Sequence, residues 1–136
     1  MPLDPPLTSA GVGGLEREFP PETLSAPAAR KFVLSLGWSE DSDTNIRLAT
    51  VVSEIVTNAI LHARTSFVVS VSPKPTAIRV EVSDGSSTFP ARPNYDPTQP
   101  TGRGLAIVEA MADRWGVDTE SSGKTVWFEV EKPGIA

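Results

Sequence analysis

From Thr44 to Ala63 the chain runs without a glycine or a proline, and this stretch limits the fold more than any other. At about 100° per residue, Leu48, Ala49, Val52, Ile55, Val56, Ala59, Ile60 and Ala63 fall on one broad apolar face. That period predicts a long amphipathic helix lying on a core. The polar SEDSDT segment ahead of it supplies N-cap candidates. Glu54, Asn58 and His62 follow one another at i, i+4 and i+8 as a separate polar stripe, with Arg47 near its upper end.

The rest of the chain arranges itself around that helix. Leu15 to Phe19 reads as a short edge strand ended by Pro20-Pro21. Ser25 and Pro27 open an amphipathic helix, AARKFVLSLGW, with Phe32, Val33 and Leu36 at helical spacing and a close at Gly37. Phe67, Val69 and Val71 alternate with Val68 and Ser70, and Ile78, Val80 and Val82 with Arg79 and Glu81, which predicts a hairpin around SPKPT. From Gly85 to Thr101 the periodicity vanishes among Pro90, Pro93, Pro97 and Pro100, as in a lid or binding loop. A helix restarts at about Gly104, and Trp115 to Thr119 with Lys124 to Val130 form a last hairpin around SSGK. This order predicts an α+β fold, a two-layer α/β sandwich with a mixed, mostly antiparallel sheet covered on one face by helices. Residues 1–14, rich in Pro and Gly, read as a poorly ordered tail, and 15–136 as one domain.

At 136 residues the chain can bury one core without staples. The absence of Cys excludes a disulfide framework, a thiolate metal site and a cysteine nucleophile. A net charge of -5, with the basic residues scattered, argues against nucleic acid as a direct partner. Ser53, Glu54, Thr57 and Asn58 interrupt the longest apolar stretch, so no segment is expected to cross a membrane. The N-terminus lacks the basic start and apolar run of a signal peptide, and a cytoplasmic protein is expected.

Three features carry candidate chemistry. Glu54 and Asn58 lie one helical turn apart and can act on one bound group. A solvated helix face would look the same, yet Asn is a mediocre helix former, and its side-chain oxygen suits a hard cation such as Mg2+. Asp84-Gly85 ends the strand IRVEVSD; it is either a plain turn or a carboxylate that accepts from an exocyclic amine, with a glycine that admits close approach. Gly102-Arg103-Gly104-Leu105 precedes a helix, where free amides and the helix dipole favour an anion, although a hinge would also use glycines. It lacks the Walker pattern and follows a loop, so it is neither a P-loop nor a dinucleotide fingerprint.

Taken in order, these features resemble the GHKL ATPase superfamily, and within it the bacterial anti-sigma-factor serine/threonine kinases. EIVTNAILHA is similar to that family's N-box, VEVSDG to its adenine box and TGRGLAIVEAMADRWGV to its glycine-rich box, across roughly residues 15 to 131. The resemblance implies a Bergerat-type ATP-binding fold with ATP and Mg2+ as cofactors. By the same resemblance, Asn58 would hold Mg2+ and Glu54 would be the general base. Asp84 would bind the adenine amine, with Gly85 lining the ring. Gly102, Arg103, Gly104 and Leu105 would meet the phosphates, and Thr125 would close the adenine end. The implied partners are an anti-anti-sigma protein of STAS type, whose Ser or Thr is phosphorylated, and a sigma factor. Relatives also imply a homodimer through the first helix and the Leu15 to Phe19 strand. Many relatives carry a second glycine in the adenine box, where this chain has Ser86 and Ser87. A non-catalytic nucleotide-binding module that sequesters its partner would share all these motifs. A sensor histidine kinase fragment fits less well, because no earlier helix carries a phosphoacceptor His.

Overall fold

A computed structural model describes residues 8–9, 14–35, 41–85 and 100–132, with the backbone alone for 8–9 and 100–105. In chain order the elements are β1 (Thr8–Ser9), β2 (Leu15–Phe19), α1 (Ser25–Ser35), α2 (Ser42–Asn58), β3 (Phe67–Pro73), β4 (Ala77–Asp84), α3 (Pro100–Met111), β5 (Arg114–Glu120) and β6 (Gly123–Glu131). Helix α2 runs on into a π-helical turn, Ala59–Ala63. The strands form one six-stranded sheet in the order β1-β2-β3-β4-β6-β5. Every pairing is antiparallel.

Strand alternation sorts the sheet into two faces. On one, Phe67, Val69 and Val71 of β3 lie beside Val82 and Val80 of β4 and, beyond them, Val126, Phe128 and Val130 of β6. With Leu48, Val51, Val52, Ile55 and Val56 of α2 and Ala29, Phe32 and Val33 of α1 they make a single core. The α+β sandwich expected from the element order is the architecture found. Val51, which the sequence count left off the apolar face of α2, is fully buried, while Ala49, Ile60 and Ala63 are half-buried. The apolar arc is therefore turned away from the Ala49 side, where Arg30 of α1 meets Ser53, and toward the Arg47 side that faces the end of α3.

Helix α2 starts where a cap was expected. The Asp41 carboxylate accepts from the Thr44 amide and the Thr44 hydroxyl, both at 2.8 Å. That backbone hydrogen bond, then the hydroxyl, holds the Asp41 carboxyl below its ordinary value. Helix α1 begins at Ser25, so Pro27 sits in its first turn, and the expected close at Gly37 lies outside the described residues.

Three expectations change. Within the stretch read as an unordered tail, Thr8–Ser9 pairs with Glu16 and Leu15. Strand β2 is then not the edge along its first two residues, and the remainder of 1–13 lies outside the described residues. By length and composition alone the 22-residue helical segment Ser42–Ala63, with an 18-residue stretch of mean hydropathy 1.2, is long and apolar enough to cross a membrane. Its polar interruptions are too few to lower that average, and its apolar arc is the one packed on the sheet. Helix α3 begins at Pro100 rather than near Gly104, because proline is well suited to a first turn and glycine weakens a helix without forbidding it.

Candidate functional site

Glu54 and Asn58 stand one turn apart at the end of α2, both half-buried. Neither side chain has a hydrogen-bond or ion-pair partner among the described residues. Ser53 beside them is committed, bonding the Ala49 carbonyl at 2.8 Å and accepting from Arg30 at 2.9 Å. Arg47, expected at the head of the same stripe, is a brace instead. Its guanidinium donates to the Met111 carbonyl and to Asp113, each at 3.2 Å, tying the start of α2 to the end of α3. His62 is exposed in the π-helical turn and does not extend the pair.

Beyond Asn58 the helix widens. The Arg64 amide reaches back five residues to the Ala59 carbonyl, at 3.2 Å, and Arg64 ends the helix in the left-handed region at φ 59°. Such single π turns recur where a helix serves a site. Here the widening delivers Thr65 to the far end of β4, where its hydroxyl accepts from the Gly85 amide at 3.0 Å. The helix that carries Glu54 and Asn58 is thereby fastened to the residue after Asp84.

Asp84 falls in the core phase of β4, on the helix side of the sheet, and its side chain is 2% exposed. Directly opposite it on β6 stands Lys124, 10% exposed, whose ammonium donates to Asp84 Oδ2 at 2.7 Å. Gly123 pins the backbone at this point. It has φ 153°, and a Cβ added there would run into the Asp84 carbonyl oxygen. Gly85 differs, since a Cβ there would meet only Thr65, at an ordinary 3.7 Å. Internal packing therefore requires glycine at 123 and not at 85.

The register separates Thr125 from Asp84. Thr125 pairs with Ser83, and the two hydroxyls bond at 2.7 Å on the face that carries no helix. A residue one step along a strand points to the opposite side, so Thr125, expected to close the adenine end, lies across the sheet from Asp84. Lys124 takes that neighbouring place, and the sequence reading missed it. Its signal was parity. Counting back by twos from Val130, Phe128 and Val126 arrives at a lysine in a core-facing position.

Gly102, Arg103, Gly104 and Leu105 occupy the first turns of α3 rather than a loop ahead of it. Proline has no N–H, so within the helix the amides left without a helical acceptor are those of Thr101 and Gly102. The Leu105 amide falls inside the helical ladder. The side chains from 100 to 105 lie outside the description, as does the expected lid from 86 to 99.

The donor set fits Mg2+ only as a shared ligand. Among the described residues Asn58 offers a hard oxygen with no partner, and no cluster of three His, Asp or Glu occurs. One protein oxygen completed by phosphate and water oxygens is the arrangement magnesium favours.

Residues 19–130 match the family model described as a histidine kinase-like ATPase domain. No curated protein matches the chain. Among solved structures it is similar to the histidine kinase domain of a blue-light activated histidine kinase from Erythrobacter litoralis, at 25% identity and a TM-score of 0.48. That likeness covers 65% of this chain and 44% of the other, so the chain spans less than half the length of that structure.

Proposed function

Because the chain belongs to the histidine kinase-like ATPase domain family, and is thus a GHKL-type ATP-binding domain, we propose that it is an ATP-dependent serine/threonine kinase. Its substrate would be a Ser or Thr of a STAS-type anti-anti-sigma protein, and its work the control of a sigma factor in the cytoplasm. The observation that carries the kinase reading is Glu54, a half-buried carboxylate with no partner among the described residues, one turn before Asn58. A structural glutamate at a half-buried position ordinarily finds a cation or an amide.

Phosphoryl transfer asks a protein chiefly for positioning and charge neutralisation. Asp84 accepts from the adenine amine, and Asn58 would hold Mg2+, which would supply charge neutralisation at the phosphates. The amides at the start of α3 face the phosphate oxygens. Glu54 takes the proton of the substrate hydroxyl as that oxygen bonds to the γ-phosphorus and the bond to the ADP oxygen breaks. With labelled ATP and a STAS-type partner, Glu54→Ala is expected to lose transfer by about 10²- to 10⁴-fold while calorimetry shows ATP affinity held within about 2-fold. Undiminished transfer by Glu54→Ala would overturn the base. ATP binding by the unaltered protein with no label on any partner would leave a non-catalytic module.

A further inference from the structure

The sheet places two oppositely charged side chains at a position where strand alternation calls for apolar ones. Lys124 and Asp84 continue the core columns of Val126, Phe128 and of Val82, Val80, and both are at least nine-tenths buried. Burying an ion pair is costly, and replacing it by apolar residues of similar size is often neutral or stabilising. A buried pair at the proposed adenine site therefore calls for a use beyond stability. Asp84 is an acceptor only, and an ammonium is a donor only. Held 2.7 Å apart, they present an acceptor and a donor side by side.

We infer that Lys124 is a specificity-determining residue that donates to ring N1 of adenine while Asp84 accepts from the 6-amino group. The inference rests on the ATP-binding reading and adds a second reader of the base. The 6-amino group and N1 are a neighbouring donor and acceptor on one edge of adenine, the complement of the Asp84–Lys124 pair. A carboxylate has about four lone-pair directions, so Asp84 can accept from Lys124 and hold other contacts and still accept from the amine. In the same pose guanine or hypoxanthine turns its O6 toward Asp84 and its N1–H toward Lys124, setting acceptor on acceptor and donor on donor. Thr125 has no part in this, since it bonds Ser83 on the opposite face.

1-Deaza-ATP, in which C–H replaces N1, isolates the lysine's contact. The unaltered protein is expected to bind it about 10-fold or more weakly than ATP, as when a charged donor loses its acceptor. Lys124→Met is expected to bind the two alike, within about 2-fold on the same scale. Equal affinity of the unaltered protein for both nucleotides overturns the inference without any variant, even if Lys124→Met fails to fold. Retained discrimination by a folded Lys124→Met also overturns it. Failure of the unaltered protein to bind ATP at all would instead remove the reading beneath it.

Discussion

The two faces of the sheet at the β4–β6 seam use the same pairings for opposite ends. On the helix side, Val80, Val82, Val126 and Phe128 are packed against α2 and the column ends in the buried Asp84–Lys124 pair. On the open side, Ser83, Thr125, Trp127 and Glu129 are half-buried. There the Arg79 guanidinium lies 4.2 Å above the Trp127 ring, which in turn covers Gly116. Arg79 and Arg114 both bond Glu129, at 3.1 and 2.8 Å. The open face spends its charges on one another at the surface, where such pairs add little. The helix face hides a single pair at the site. Polarity alone thus says less about function than which face a residue is on.

The contrast can be broken or sharpened by substitution. Gly123→Ala strikes the seam itself, because the new Cβ meets the Asp84 carbonyl in a backbone conformation that suits glycine. It is expected to lower unfolding free energy by about 3 kcal/mol in a denaturant titration. A loss as small as an exposed glycine would give means that β6 can move away from Asp84.

Glu129→Gln tests the open face and should cost about 1 kcal/mol near neutral pH, with ATP affinity unchanged. Burial works against the Glu129 carboxylate, but hydrogen bonds from Arg114 and Arg79 outweigh it and hold its pKa below 4.5. Its contribution is accordingly full above that ordinary value and is lost as pH falls through the lowered folded one. The difference between the two proteins should close in acid, and a difference that grew there would contradict the ion-pair account.

Thr125→Val carries the smallest expected effect. ATP affinity by calorimetry should change less than about 2-fold, the loss of the Ser83 bond appearing only as a slight drop in stability. A large loss of affinity would place Thr125 in the site after all and undo the division of faces.

Much of this was legible in the residues. Phe67, Val69, Val71 and Ile78, Val80, Val82 announced their faces by a period of two, and Asp41 lay within the segment expected to cap α2. The Glu54–Asn58 spacing brought those two together as the sequence requires. What was not legible depended on register and on where a helix starts. Thr125 and Lys124 differ by one position, and only the partner strand decides which of them meets Asp84. The onset of α3 at Pro100 was hidden because glycines at 102 and 104 read as a break. The bracing role of Arg47 was also hidden, because its acceptors lie more than sixty residues away.

The π-helical turn after Asn58 has a consequence for insertions and deletions. It fits one residue more into the end of the helix than regular α-helical winding would take. Deleting an exposed residue of the turn, Leu61 or His62, would let the helix close with ordinary winding, and its core contacts through Ala59 would survive. The bond from the Arg64 amide to the Ala59 carbonyl would then span four residues instead of five, and Arg64 and the Thr65 bond to Gly85 would keep their places. The segment is thus fixed in composition at Ala59, which the core holds, and tolerant of the loss of one residue, whereas an insertion there would carry Thr65 off the Gly85 amide and disconnect the two halves of the site.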